Sequence, residues 1–397
     1  MKYITKFDNH SYYETFIASE DYITPNVSIC VQQNEIHYNP YVHDYSQDYL
    51  TFEALEDGTF QFTNAINYSV DNGTTWTSLA ANTATPIITS GIMIMWKAEL
   101  TPSSSYPYGI GTFSSTGNFN IEGNAMSILF GDNFIGQTDL TSKNRALQNL
   151  FSSCSKLISA KNLSLHATTL ADYCYVGMFN SCTNLTTAPQ LPAMTLAQGC
   201  YANMFANCTS LTTAPQLPAT TLAQSCYQYM FANCTSLTTA PELSAMTLAN
   251  HCYNNMFNGC TNLTTLSQLP ATTLAQSCYQ QMFNGCTNLT TAPQLPATTL
   301  ANSCYYNMFG GCTSLTTAPE LPATTLAQAC YASMFSSCTS LNYIKAMFTA
   351  TPSTTYTTNW VKNVAATGTF VKNSAAEWDV TGVNGVPEGW TVQTAAA

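Results

Sequence analysis

The chain has 397 residues, of which 45% are hydrophobic and only 8% are charged, against roughly 25% charged residues in an ordinary soluble domain. This hydrophobic fraction supports a large core and excludes wholesale disorder. The net charge is −11, and the ten basic residues include a single arginine, Arg145, which excludes the basic patch that nucleic-acid binding requires. No apolar run approaches the length of a transmembrane helix, about 20 residues, so membrane insertion is not expected.

Residues 1–48 form a tyrosine-rich, acidic segment. Residues 1–60 carry ten acids against Lys2 and Lys6, so much of the acidity lies at one end of the chain. The opening residues MKYITKFDNHSYYETF include early acids and lack the apolar centre of a secretory signal peptide, so export by that route is not expected. The stretch ITPNVSICVQQNEIHYNP is bounded by proline and predicts an extended segment.

Residues 49–146 alternate between apolar and polar side chains in short stretches such as YLTFEAL, GTFQFTN and GIMIMWKAEL. This alternation predicts β-strands. The sequence VDNGTTW places Asn-Gly between two such stretches, which predicts a hairpin. Six or more short strands of this kind predict a β-sandwich-like domain.

A 26-residue repeat occupies residues 147–345 and sets the positions of fourteen of the sixteen cysteines, and Cys154 extends the second set upstream with a step of 28. One set consists of Cys174, Cys200, Cys226, Cys252, Cys278, Cys304 and Cys330, and the other of Cys154, Cys182, Cys208, Cys234, Cys260, Cys286, Cys312 and Cys338. A fixed period of this size predicts a solenoid of stacked units, about seven to eight here. Residues 140–173 are an atypical first unit, as expected of a capping repeat.

Each unit is expected to contain one short helix and one short strand. At about 100° per residue, the apolar positions shared by the units fall within an arc of about 140°, which predicts a buried helix face. In the third full unit they are Cys226, Tyr227, Met230, Phe231 and Cys234. The following Thr-rich stretch predicts a strand that ends at a proline such as Pro215. Stacking would place a parallel sheet on one face and helices on the other.

These units resemble the BspA-like leucine-rich repeats of gut and oral bacterial surface proteins. The family core A-F-x-x-C-x-x-L is similar to M-F-x-x-C-T-S/N-L, which occurs seven times here, first as MFNSCTNL at 178–185. The repeat is longer than the usual family repeat and has Cys-Tyr where the family usually has Gly. The resemblance implies a curved leucine-rich-repeat (α/β) solenoid, in a chain that is mostly β with short helices.

The cysteines are interpreted as buried free thiols that pack as small hydrophobes. Disulfides between neighbouring units were weighed against a helix-packing distance of about 8–10 Å, which exceeds disulfide reach. Zinc requires four convergent ligands, usually with C-x2-4-C spacing, and that spacing is absent. Some disulfides remain an alternative, and a metal site a weaker one. The tyrosines that recur once per repeat are likewise interpreted as core residues rather than as sugar-stacking rings: Tyr175, Tyr201, Tyr227, Tyr253, Tyr279, Tyr305 and Tyr331.

Residues 346–397 predict a C-terminal β cap over the end of the stack, with Trp360, Trp378 and Trp390 as packing residues. The P-N-V-S and H-Y-N-P motifs of the N-terminal segment, the β-domain and the WVK…GTF…GWTV ending together resemble virion proteins of phages that infect gut Bacteroidales. That resemblance implies that residues 1–48 dock on other virion proteins. It also implies a head or tail fibre on the particle.

Catalytic patterns are not found. The five histidines form no H-E-x-x-H motif, and no G-x-S-x-G or P-loop occurs. His37 and His43 lie near Asp44 and Asp48, which we interpret as a solvated interface rather than as a metal site. Glu242 and Glu320 are equivalent positions three units apart, too far for a glycosidase pair. The expectation is therefore a non-enzymatic protein without metal or cofactor, and a depolymerase is the weakest alternative.

Candidate ligand-contact positions lie on both predicted faces of the repeats. Thr212, Thr213 and Gln216 represent the strand side, and the helix side is represented by Tyr229, Asn254, Asn255 and Tyr306. A neutral Thr/Asn/Gln surface suits adhesion to a host-surface glycan or protein. We expect a homo-oligomer, dimer or trimer. The alternative is a secreted or surface-anchored bacterial BspA-like adhesin.

Overall fold

The computed structural model describes residues 28–32, 35–39, 43–102 and 109–395. Strands β1 (Ser28–Gln32) and β2 (Glu35–Asn39) form an antiparallel pair. The rest of the predicted attachment segment, up to residue 42, lies outside the described residues. A 3-10 helix, Tyr45–Gln47, then leads into the first large sheet.

Eight further strands build the N-terminal part of the fold. They are β3 (Leu50–Ala54), β4 (Phe60–Phe62), β5 (Ile66–Ser69), β6 (Thr77–Leu79), β7 (Met93–Lys97), β8 (Phe113–Ser115), β9 (Phe119–Asn124) and β10 (Leu157–Ser164). Six of them form one sheet in the order β10-β9-β3-β7-β5-β6. Neighbouring strands are antiparallel except β9 and β10, which are parallel. The strands β4 and β8 form a separate antiparallel ribbon.

Aromatic side chains join the ribbon to the sheet. The ring of Phe52 on β3 lies 5.4 Å from that of Phe60 on β4 and 4.9 Å from that of Phe113 on β8. Large buried rings of this kind dominate core energetics. Because β10 belongs to the first repeat, the sheet spans the boundary predicted at residue 146, and the repeats continue directly from it.

The predicted helix in each repeat is wrong. In the part of the chain that the structure describes, the only α-helix is α1 (Ser127–Phe130), followed by the 3-10 helix Gly131–Asn133. The Cys-to-Cys segments instead form successive turns, whose N–H groups alternate between two kinds of partner. The Met230 amide donates to the Tyr227 carbonyl three residues back, and the Tyr227 amide donates to the Cys252 carbonyl of the next repeat. About half of the backbone N–H groups in these turn segments therefore donate to a neighbouring repeat.

A left-handed backbone conformation recurs at every fourth residue of these turn segments. In one repeat it occurs at Ser225, Tyr229 and Asn233, with φ of 53°, 55° and 59°. Asn, Ser and Gly occupy most equivalent positions, since Gly carries no Cβ penalty and Asn can hydrogen-bond locally in this conformation. This four-residue period, rather than the 3.6 of a helix, puts the shared apolar residues on one side.

Substitution at Tyr229 should reveal this backbone requirement. Three other repeats place asparagine at the equivalent position, as Asn203, Asn255 and Asn307. We expect Tyr229→Val to lower the free energy of unfolding by about 1–2 kcal/mol relative to Tyr229→Asn, since a β-branched side chain is strained at positive φ. Urea unfolding of the two variants measures the difference. Equal stabilities of the two variants would contradict a left-handed backbone conformation at position 229.

The predicted repeat strands are reduced to single-residue parallel bridges. Thr187 pairs with Thr213, and Thr239 pairs with Thr265, each 26 residues further along. A second ladder includes the pairs Thr169–Thr195 and Thr221–Thr247. The pairing is parallel as expected. No regular strand lies between β10 and β11 (Tyr343–Ala346) in these described residues.

Two columns of parallel rings run through the core of the repeats. Phenylalanine rings from Phe151 to Phe335 stack with neighbouring centroids 5.4–5.9 Å apart. Tyrosine rings from Tyr175 to Tyr331 stack at 5.6–6.0 Å. All these tyrosines are at most 2% exposed, so their prediction as core residues is confirmed.

The C-terminal part adds a parallel three-stranded sheet of β11, β12 (Thr369–Lys372) and β13 (Thr391–Thr394). Trp360, Trp378 and Trp390 are buried as predicted. The Trp360 ring lies 6.3 Å from that of Phe335, at the end of the phenylalanine column. Its Nε1 donates to the Gly385 carbonyl at 2.9 Å.

Candidate functional site

The strand-side face of the repeats is exposed and almost uncharged. Thr212, Thr213 and Gln216 are all exposed, as expected of contact positions. The leucines on either side of these residues, Leu211 and Leu217, are buried. The bridges between threonines hold these side chains in register from one repeat to the next. This face can offer neutral hydrogen-bond donors and acceptors to a ligand.

The turn-side positions divide into exposed and buried residues. Tyr229 is 37% exposed and Tyr306 is half-buried. Asn254 and Asn255, which were expected at the surface, are only 5% and 3% exposed. The Asn255 amide Nδ2 donates to Asn254 Oδ1 at 2.6 Å and to Gln281 Oε1 of the next repeat at 3.3 Å. Tyr306 and Tyr229 stand at the positions equivalent to Asn254 and Asn255 and are more exposed, so these amides are buried by local packing, where they pair with each other and with the next repeat.

The described cysteines are free and buried, in agreement with the interpretation as packing residues. The helix-packing distance of about 8–10 Å does not apply to these repeats, because hydrogen-bonded turns bring neighbouring repeats closer than packed helices. Thiols of the second set donate to phenylalanine carbonyls of the preceding repeat, for example Cys208 Sγ to Phe179 O at 3.1 Å. Burial raises the pKa of Cys208 to about 12. Such thiols are poor nucleophiles. Cys30 has no described side chain.

Two carboxylates lie on the repeat surface in different electrostatic settings. Glu320 forms an ion pair with Lys345, with Oε1 and Nζ 2.9 Å apart. The pKa of Lys345 is raised by the hydrogen bond to Glu320. Glu242 is exposed and has no ion-pair partner among residues 43–102 and 109–395. Since residues 174–340 contain no other Asp or Glu and no Lys or Arg, Glu242 is their one uncompensated acid.

Glu242 borders an open groove of about 600 Å³ between two repeats. The groove is lined by Ala240, Glu242, Leu243, Ser244, Met246, Thr265, Leu266, Ser267, Gln268 and Pro270. It lies on the strand-side face, because Thr265 and Gln268 are equivalent to Thr213 and Gln216 two repeats earlier. The pattern that the repeats share does not reveal this groove. A comparison of the repeats for their differences, rather than their shared residues, would have pointed to it.

The histidine and carboxylate cluster near the N-terminus forms a second open groove of about 590 Å³, lined by His43, Asp44, Lys161 and His166 among others. His43 pairs with Asp48, and a hydrogen bond from Ser46 lowers the pKa of Asp44. No group of three or more metal-ligating side chains was found in the described parts of the chain. The His37 side chain lies outside them.

The profile of the BspA type leucine rich repeat region matches residues 139–238 and 250–359 in six copies. The chain belongs to this family. The match covers more than half of the sequence and includes the turn segments. No curated protein and no solved structure matches the chain. None of its described helices has the length and hydrophobicity needed to cross a bilayer.

Proposed function

We propose that the protein is a non-enzymatic fibre of a phage particle that displays its repeats for adhesion to a host surface. BspA type repeats suggest an adhesive or protein-interaction role. The observation that carries the adhesion proposal is the strand-side face, which repeats the same exposed Thr and Gln side chains and is nearly free of charge. Such a face can form many weak contacts with a host glycan or protein while limiting non-specific ionic binding.

The proposed architecture is a solenoid between two terminal structures. In this arrangement the six-stranded sheet and the β4–β8 ribbon form the sandwich-like domain, and residues 346–397 form the cap. Residues 1–48 contact other virion proteins, and the fibre is a homo-oligomer on the particle. The particle assignment is supported by the likeness of the N-terminal motifs, the β-domain and the C-terminal ending to phage virion proteins.

The second candidate is a secreted or surface-anchored bacterial adhesin. The family match does not distinguish it from the phage fibre, because BspA type repeats suggest an adhesive or protein-interaction role in either setting. The two candidates share the same adhesive face. They differ in where the protein is found.

Gold labelling with an antibody against residues 174–340 distinguishes the two candidates. We expect gold on projections of phage particles from the source culture and none on uninfected cells. Gold on uninfected cells with unlabelled particles would establish the adhesin instead.

A truncation tests the attachment role of the N-terminal segment. Asn124 Nδ2 donates to Ser46 O at 2.9 Å, so the truncation should remove residues 1–42 and keep this contact. We expect the truncated chain to fold but to be missing from purified particles, while the full-length chain is incorporated. Normal incorporation of the truncated chain would refute docking through this segment.

A further inference from the structure

The groove beside Glu242 is the place where the repeats depart from one another. Ser244 replaces a proline found in the other five copies, and Leu266-Ser267 replaces an Ala-Pro found in the other five. Glu242 replaces glutamine in all but one of the other copies, and Met246 replaces threonine in all but one. All five residues line the groove. Elsewhere on this face the repeats are almost identical, so the departures concentrate in one place.

The chemistry of the groove is a single carboxylate beside flexible apolar side chains. Met246 is 57% exposed and Leu266 is half-buried. Ser244, Ser267 and Gln268 add neutral hydrogen-bonding groups. The volume falls in the range of about 300–1,000 Å³ that is typical of ligand sites. Thioether side chains are common at binding surfaces because they adapt to the partner.

We propose that this groove binds a lysine side chain of a protein on the host surface, an inference that rests on the adhesive function proposed above. The unpaired Glu242 carboxylate faces the ammonium group, while Met246 and Leu266 cover the aliphatic stem. No aromatic ring lines the groove on which a sugar could stack. Charge complementarity therefore favours a basic protein partner over a neutral glycan.

Two repeat positions supply internal controls. Met194 is equivalent to Met246 and is equally exposed, at 57%, but its repeat has Gln190 and Pro192 in place of Glu242 and Ser244. Glu320 is equivalent to Glu242 but already pairs with Lys345. A ligand specific for the groove should affect Met246 and depend on Glu242, and it should spare Met194 and not depend on Glu320.

The test is a titration of the full-length protein, labelled at its methionine methyl groups, with Nα-acetyl-lysine N-methylamide. The Met246 and Met194 signals are assigned by Met246→Thr and Met194→Thr, which insert the threonine of other repeats. We expect the Met246 signal to shift and the Met194 signal to stay. The norleucine analogue, which lacks the ammonium group, should bind about threefold more weakly, and N-acetylglucosamine should leave both signals unchanged.

The carboxylate is tested with Glu242→Gln, which restores the glutamine of the other repeats and should therefore fold. We expect it to weaken lysine binding about threefold, the size of one partly exposed ion pair, while Glu320→Gln has no effect. The double variant Leu266→Ala/Ser267→Pro should abolish the Met246 shift by restoring the common surface. The proposal would be overturned if the Met246 signal did not shift, if both methionines shifted equally, or if either responded to the sugar. Unchanged lysine binding in Glu242→Gln would also overturn it. These results are independent of the particle labelling, so either proposal can fail alone.

Discussion

Above pH 9 the repeat stack is expected to unfold over a narrow pH range. Burial raises the pKa of the repeat thiols above their ordinary value of 9.0, to about 12 for Cys200 and Cys252. It also raises the pKa of the stacked tyrosines, such as Tyr253, well above their ordinary value of 10.0. These groups stay protonated in the folded chain but ionise in the unfolded chain. Each therefore contributes stability that is complete below pH 9 and is lost by about 1.4 kcal/mol per pH unit as pH rises toward 12.

The number of such groups makes the effect large. Fifteen buried thiols act in the same direction, whereas a domain is typically stable by only about 5–15 kcal/mol. Circular dichroism and urea unfolding of the reduced protein from pH 7 to pH 11 measure the loss. The ultraviolet absorbance of thiolate is the control, and it should appear together with unfolding. A native spectrum at pH 11, or thiolate formation in the folded chain well below that pH, would contradict the expectation.

The repeat was predictable from sequence, but its backbone conformation was not. The shared apolar residues Cys226, Tyr227, Met230, Phe231 and Cys234 are spaced at i, i+1, i+4, i+5 and i+8. Over the nine residues from Cys226 to Cys234, this spacing fits both an α-helix and a period of four residues per turn. The two conformations differ in the hydrogen-bond partners of the backbone N–H groups. In a helix every N–H group bonds within the helix, whereas the turns direct every second N–H group to a carbonyl of the next repeat. The Asn, Ser and Gly residues at every fourth position were the local signal for the turns.

The sequence predicted some of the exposed positions of the candidate surface correctly and others wrongly. Thr212, Thr213 and Gln216 are exposed whichever backbone the turn segments adopt, because they lie outside those segments, between the buried Leu211 and Leu217. Asn254 and Asn255 are buried although Tyr306 and Tyr229, at the equivalent positions, are more exposed, so the position within the repeat does not alone decide their burial. Their amide pairing between repeats depends on the short spacing of the stack, which no single unit reveals.

Phe257→Ala is expected to lower the free energy of unfolding more than Tyr229→Val does. Phe257 is fully buried, and its ring stacks between Phe231 at 5.6 Å and Phe283 at 5.7 Å. Truncating a buried phenylalanine typically costs about 3–5 kcal/mol. Stacked repeats contact only their neighbours, so the cavity weakens the coupling between the two halves of the stack. Urea unfolding should show a lower midpoint and a broader transition.

The matched control is Phe257→Leu, which fills most of the same space and should cost about 1.5 kcal/mol or less. Limited proteolysis adds a spatial readout, because each repeat relies on the backbone and ring contacts of the next. In Phe257→Ala we expect early cleavage near the substituted repeat and two protected fragments on either side, whereas Phe257→Leu should resist like the unsubstituted chain. A sharp single transition with cleavage spread along the whole chain would show that the repeats unfold as one unit, and the nearest-neighbour description of the stack would then be wrong.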